Sequence, residues 1–220
     1  DKLEAAEDLP MALHDMIKDT IAAHKRIIFN GNGYSDEWVA EAERRGLPNI
    51  KCMVDAVPAL VKPEAVEIFE KHGVYTKAEM ESRAEVMYET YSKTINIEAL
   101  TMIDMAKKQI VPATIKYQTS LAESVNAIKA ASSAVDTSVQ EALMADISTN
   151  LKDMYAALAH LEEVAGKAEA MEEGAEQGHY YHDVVFTAMD ELRKPADKLE
   201  MLVAKSAWPF PSYGDLIFEV

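Results

Sequence analysis

Apolar residues recur at intervals of three and four along most of this chain, the spacing that places them on one face of an α-helix. Between Leu3 and Lys25 the repeating positions are Leu9, Leu13, Met16, Ile17 and Ile21. Pro10 is tolerated only in a first turn, so a helix is predicted to begin near it, with a short helix ahead. Arg26-Ile27-Ile28-Phe29 is a brief β-prone segment, residues 26–29. It ends at Asn30-Gly31-Asn32-Gly33, where two Asn-Gly pairs favour positive φ and predict a tight turn. Ser35 reads as an N-cap, with Asp36 and Glu37 in the first turn at the positive end of the helix dipole. That helix is expected to reach Arg45 and to stop at Gly46.

Pro48, Pro58 and Pro63 interrupt the periodicity between Leu47 and Pro63, which predicts an irregular connection holding one helical turn, and a domain boundary there. A short helix from Glu64 to Lys71 is expected to end at His72-Gly73. Thr76 with Glu79 three residues on is a capping box that opens a much longer helix. Its seam runs through Met80, Ala84, Met87, Tyr91, Ile95, Met102, Ala106 and Ile110 until Pro112, which is expected to kink rather than end it. Ile115, Leu121, Val125 and Ile128 carry the pattern to about Ala134, an element of ~80 Å at 1.5 Å per residue. Asp136 or Thr137 then starts a helix whose seam is Val139, Leu143, Ile147, Leu151, Met154, Leu158 and Leu161. After a polar loop from Gly174 to Gly178, a last helix carries Tyr181, Val185, Ala188, Leu192, Leu199 and Leu202, with Pro195 as an interior kink or break.

The expected fold class is therefore mainly α: long kinked antiparallel helices forming a bundle, with a β-prone segment at 26–29 and an extended aromatic C-terminal tail. That tail, Trp208-Pro209-Phe210-Pro211-Ser212-Tyr213, cannot be helical in its first half. It is expected to dock on a surface, because burying a large apolar side chain is worth ~1.5 to 3 kcal/mol.

Charge narrows the partners. With 38 acidic against 22 basic residues, the net charge of -16 repels nucleic acid and anionic lipid headgroups. No run approaches the roughly 18 apolar residues of a membrane span, and the opening lacks a basic and apolar leader. The single cysteine, Cys52, makes no internal disulfide and reads as a small apolar residue, so a cytoplasmic location is expected.

Few residues invite chemistry. Glu176, His179 and His182 follow one another at three-residue spacing, as in half of a carboxylate-bridged di-metal site, but no second Glu-x-x-His supplies the other half. Asn30-Gly31-Asn32-Gly33 before a helix start resembles a phosphate loop yet lacks the Lys-Ser/Thr pair and the third glycine, and reads as a structural turn. Met80, Met87, Met102 and Met105 on the long helix offer either an adaptable binding face or core filling, and the spacing favours core filling. The residues by themselves establish an acidic helical bundle.

Three segments carry a resemblance: His24-Lys25-Arg26-Ile27-Ile28-Phe29-Asn30-Gly31-Asn32-Gly33-Tyr34-Ser35-Asp36-Glu37-Trp38, then Glu41-Ala42-Glu43-Arg44-Arg45-Gly46-Leu47-Pro48-Asn49, then Trp208-Pro209-Phe210-Pro211 with Tyr213. In order and spacing they are similar to the C-terminal part of type III glutamine synthetases, over essentially the whole chain. The opening Asp1-Lys2-Leu3-Glu4, without methionine and already in a helical pattern, fits a longer chain cut at a helix start.

The resemblance implies a parent enzyme that ligates ammonia to glutamate through γ-glutamyl phosphate, using ATP and Mg or Mn, in large double-ring oligomers. In that family the metal carboxylates, ATP-binding segments and substrate arginines precede the equivalent of Asp1. None of those motifs matches a position here, so no catalytic, cofactor-binding or metal residue is carried over, and the chain alone is expected to be inactive. The implied organisation is 1–50 as the end of the catalytic domain, 51–205 as a helical region serving assembly or regulation, and 206–220 as a docking tail. The implied partners are the upstream catalytic domain and other subunits of a homo-oligomeric ring. The alternative is a free-standing helical-bundle interaction or sensor module, and the gene upstream of Asp1 discriminates between the two.

Overall fold

The computed structural model describes residues 3–218; Asp1 and Lys2 of the expected helical opening, the last tail residues Glu219 and Val220, and the side chain of Tyr213 lie outside this description. The chain is mainly helical and divides into two units, Asp1–Cys52 and Met53–Val220.

In the first unit, helix α1 spans Leu9–His24. Its start follows from the Asp8 side chain, which accepts from the Met11 backbone N–H at 3.1 Å, and from Pro10 in the first turn, where its missing donor costs nothing. No residue of α1 is buried. Helix α2 spans Asp36–Arg44, capped by Ser35 Oγ accepting from the Trp38 N–H at 3.3 Å, and Gly46 closes it at a φ of 71° that a side chain would strain.

Between them the sequence expectations fail in two instructive places. The β-prone run 26–29 forms no strand among the described residues: Lys25–Ile27 is a 3₁₀ turn, and Ile28 after it is extended without a partner strand. With no partner strand, the carbonyls of Ile28 and Arg26 accept instead from Arg45 Nη1, at 2.8 and 3.2 Å. Nor do Gly31 and Gly33 adopt positive φ. Asn32 makes the turn, its side-chain oxygen accepting from Tyr34 N–H at 3.0 Å and its carbonyl from Ser35 N–H at 3.3 Å. Gly31 is needed for a different reason: the Phe29 ring lies over it, and a Cβ there would sit 2.5 Å from Cζ. Phe29 in turn stacks on Trp38 with centroids 4.1 Å apart, and the Arg45 guanidinium covers both rings while its Nε donates to Glu41 at 2.5 Å.

The second unit begins with α3 (Met53–Leu60) and α4 (Pro63–Lys71). Helix α3 is two turns where one was expected, and it contains Pro58. Proline cannot donate to the carbonyl four residues back, Val54, and that oxygen receives the Tyr88 hydroxyl instead at 3.4 Å. Thr76 and Glu79 form the reciprocal capping box, Thr76 N–H donating at 2.8 Å and Glu79 N–H at 3.3 Å, and open α5 (Lys77–Met105). A π-helical turn, Ala106–Ile110, joins it to α6 (Val111–Ala131), so the helical path is continuous past Pro112 for about 80 Å at 1.5 Å per residue. The π turn stands just ahead of the proline, where the ring would otherwise press on the preceding turn.

Helix α7 runs from Ser138 to Glu169 and buries Ile147, Met154, Leu158, Leu161, Val164, Ala165 and Ala168; its first seam residue, Val139, is instead 70% exposed. Helix α8 (Ala175–Tyr180), a second π turn (Tyr181–Val185) and α9 (Phe186–Leu202) follow without interruption. Pro195 is buried inside α9 and does not break it. From the first π turn and α6 across to α7, Lys107 pairs with Glu162, Gln118 donates to the Met144 carbonyl at 3.2 Å, and Lys129 pairs with Glu141 at 2.5 Å.

The buried face of α5 is Met80, Ala84, Tyr88, Ser92, Ile95 and Ala99; of the expected seam, Tyr91 is half-buried against the core and Met87 is exposed. Gly178, expected in a loop, is helical and buried. A Cβ there would lie 3.1 Å from Tyr88 Cδ1 and 3.3 Å from Val54 Cγ1, so glycine is what lets α8 meet α3 and α5. At the start of the tail Trp208 and Phe210, edge to face at 6.3 Å, pack against the core. The tail's end departs from the extended expectation, forming a short helix α10 (Tyr213–Phe218) with Leu216, Ile217 and Phe218 exposed. The Lys205 ammonium and Ser212 hold the Asp215 carboxyl at its start down to about 2.

Gly178→Leu is expected to lower stability by about 1 to 3 kcal/mol, measured by urea unfolding, because the added side chain overfills the Tyr88–Val54 contact. A midpoint at or above that of the parent chain would show that this contact is loose. In the first unit, hydrogen bonds from Arg44 and then Arg45 hold the Glu41 carboxyl at about 2, below the usual 4.5. A carboxyl lowered on folding contributes its stabilisation in full above 4.5 and loses it as pH falls through about 2. Acidification across that window is expected to release Arg45 and change Trp38 fluorescence, read in a Trp208→Phe background, and Glu41→Gln should remove the step.

Candidate functional site

The histidines that the sequence singled out are placed on the α8 side of the second unit and are held by structural contacts. His179 Nδ1 lies 2.8 Å from the Ala175 carbonyl and Nε2 3.3 Å from Asp55 Oδ1. His182 Nδ1 lies 2.7 Å from Asp183 Oδ1. Their rings stand 6.4 Å from those of Tyr88 and Tyr91 respectively. The run Glu176, His179, His182 crosses from α8 into the π turn, which breaks the common face that three-residue spacing gives in a helix. Among the described residues no group of three or more His, Cys, Asp or Glu is arranged to hold a metal ion.

In the turn at residues 30–33 both oxygens of Asn32 are committed internally, to Tyr34 and to Ser35. Ser35 occupies the N-cap of α2, and Asp36 and Glu37 fill its first turn. Backbone and Ser35 hydrogen bonds hold the Glu37 carboxyl below its usual value, so negative charge already sits where an anion would bind. Cys52 is half-buried at the end of the first unit.

The methionines divide. Met80 is fully buried, whereas Met102 and Met105 are half-buried and border an open groove of about 640 Å³ in the second unit. Its buried lining is Ala106, Ile110, Met154 and Leu192, and Trp208 and Phe210 of the tail also line it. Ile97 on α5 and Phe186 on α9 form its lips, 65% and 51% exposed. Glu98, Asp190, Asp197 and Glu200 stand around it with Arg193. Asp197 pairs with Arg193 at 3.2 Å and Asp190 with Lys194 at 2.8 Å, while Glu98 and Glu200 make no ion pair among the described residues. Both π turns adjoin the groove: Ala106 and Ile110 belong to one, and Phe186 follows the other. Sequence reasoning assigned these methionines to core filling and missed the groove, because it forms only where α5, α7, α9 and the tail meet. The two prolines and the aromatic tail were the available signals.

The groove borders on packing contacts, and the half-buried histidines are held by structural ones. Comparison with known proteins gives the family. A family model described as the glutamine synthetase C-terminal domain matches residues 12–129, just over half of the chain. A glutamine synthetase of Butyrivibrio fibrisolvens is 37% identical over 216 residues, 98% of this chain but 31% of that protein. A type-3 glutamine synthetase of Dictyostelium discoideum and a glutamine synthetase of Bacteroides fragilis are each 29% identical over 211 residues, 94% of this chain and 29% of theirs. The chain thus spans under a third of the length of these curated relatives, and with a family model covering α1 through most of α6 it belongs to the glutamine synthetase C-terminal domain family.

Proposed function

We propose that this chain is the non-catalytic C-terminal part of an ATP-dependent glutamate–ammonia ligase, and that it serves structure, assembly or regulation. The observation that carries this reading is helix α1. Leu9, Leu13, Met16, Ile17 and Ile21 form one apolar face at helical spacing, and all five are exposed. A continuous apolar face on an otherwise charged helix is a surface made to be covered. In this reading residues 1–50 complete the edge of the upstream catalytic domain, whose packing covers α1. Residues 51–205 are the helical region, and 206–220 the docking tail.

The helical region is read as an antiparallel bundle of long kinked helices. The pairings Lys107–Glu162, Gln118–Met144 and Lys129–Glu141, in which one number rises as the other falls or turns back, support that direction, and the π turns support the kinks. ATP and Mg or Mn belong to the upstream part, and the other partners are subunits of a homo-oligomeric ring. A cytoplasmic location accords with the absence, among the described residues, of any helix long and apolar enough to cross a membrane. Nucleic acid is excluded as a partner by the charge of -16.

Incubated with glutamate, ammonium, ATP and Mg²⁺, the isolated chain is expected to form no glutamine; turnover would refute the assignment. Ile17→Asp is expected to shift the stability of the isolated chain by less than about 0.5 kcal/mol, as for an exposed site. In the full-length polypeptide the same change should cost about 2 kcal/mol in thermal or denaturant unfolding, since there the side chain is buried. An equal effect in both would mean that nothing covers α1.

A further inference from the structure

The groove between α5 and α9 has the dimensions of a helix rather than of a small metabolite. Its lining extends from Ile97 to Ile110 along one wall and from Phe186 to Glu200 along the other, roughly 20 Å at 1.5 Å per residue, the length of about four helical turns. Met102, Met105 and Met189 make the walls adaptable, and the exposed Ile97 and Phe186 extend the apolar strip to the lips. Exposed apolar side chains of this size, in a continuous strip and ringed by polar residues, mark an interaction site. The rim specifies the charge of what enters: Asp197 is paired with Arg193 and Asp190 with Lys194, while Glu98 and Glu200 have no ion-pair partner among the described residues. Net charge of -16 on the whole chain adds to the field at the rim.

We propose that this groove docks an amphipathic helix of a partner protein, with apolar anchors at i, i+3, i+4 and i+7 facing Met102, Met105 and Phe186, and with lysine or arginine along its flanks meeting Glu98 and Glu200. The apolar strip supplies affinity, and the carboxylate rim selects the sign of the partner and speeds encounter. A second copy of this chain fits the rim poorly. Its own exposed amphipathic helix, α1, carries Asp15 and Asp19 around Lys18 and does not bring the required charge. An anionic membrane surface is repelled by the same carboxylates. The proposal does not rest on the ligase assignment, and an active isolated chain would leave it standing.

The test is calorimetric titration of the whole chain with two synthetic helical peptides that share one leucine-rich face, one bearing Lys and Arg on the polar face and the other Glu and Asp. The basic peptide is expected to bind at least about tenfold tighter than the acidic one, with the preference shrinking as salt rises. The pairs Ile97→Glu with Phe186→Glu, and Glu98→Lys with Glu200→Lys, change exposed residues and should leave the melting curve in place; each should weaken the basic peptide about tenfold. Equal binding of both peptides, binding of neither, or retention of affinity in both double variants would overturn the proposal. So would self-association of the chain, followed by sedimentation, that Ile97→Glu with Phe186→Glu disperses, because that would assign the face to a second copy.

Discussion

The second unit depends on the burial of one face of α7. Ile147, Met154, Leu158 and Leu161 are almost wholly removed from water, and each such side chain contributes about 1.5 to 3 kcal/mol relative to exposure. What lets several helices share that face is the run of small residues beside it: Ala165 and Ala168 on α7, Ala99 on α5 and Ala188 on α9. Helix axes approach closely only where side chains are short, and close approach is what brings the large residues into contact on all sides. Gly178 is the extreme case, where even a methyl group would crowd Tyr88 and Val54.

Helices of this length must also stay in phase with a partner over many turns, and the π turns do that. A π turn adds a residue to the helical path and rotates the face downstream by about 100°. At Ala106–Ile110 the turn keeps Ala106, Ile110 and Thr114 buried across the junction and takes up the strain that Pro112 would impose. At Tyr181–Val185 it carries both Tyr181 and Val185 into the core and leaves Phe186 outside. The same adjustment that completes the core therefore leaves an apolar side chain at the lip of the groove, so packing and binding surface have a common cause.

The first unit works by different means. It buries little, and its order comes from polar and aromatic contacts around Arg45, which joins Glu41, the Ile28 and Arg26 carbonyls and the stacked rings of Phe29 and Trp38. An arginine is suited to this because its planar guanidinium donates in several directions while stacking on an aromatic face. The apolar face of α1 takes no part in these contacts, which is why it reads as belonging to something larger.

The helices were legible from residue order because their causes are local. The Thr76–Glu79 capping box, the Ser35 cap, glycine after α2 and after α4, and the four-residue repeat of α7 and α9 each act within a few residues of where they stand. The family, too, was legible, in the order of short segments such as residues 24–38. Other features were decided by neighbours distant in the chain. The run 26–29 failed to become a strand because Arg45, not another strand, met its carbonyls. Helix α3 persists through Pro58 because Tyr88 supplies the missing donor from far along the sequence. Ser92 is buried and Met87 is exposed, the reverse of what their hydrophobicity predicts. Sequence alone determined most helix starts and which face of each long helix is apolar; which of those faces found a partner, and that the α5–α9 groove and the α1 stripe did not among the described residues, depended on long-range packing that no local pattern encodes.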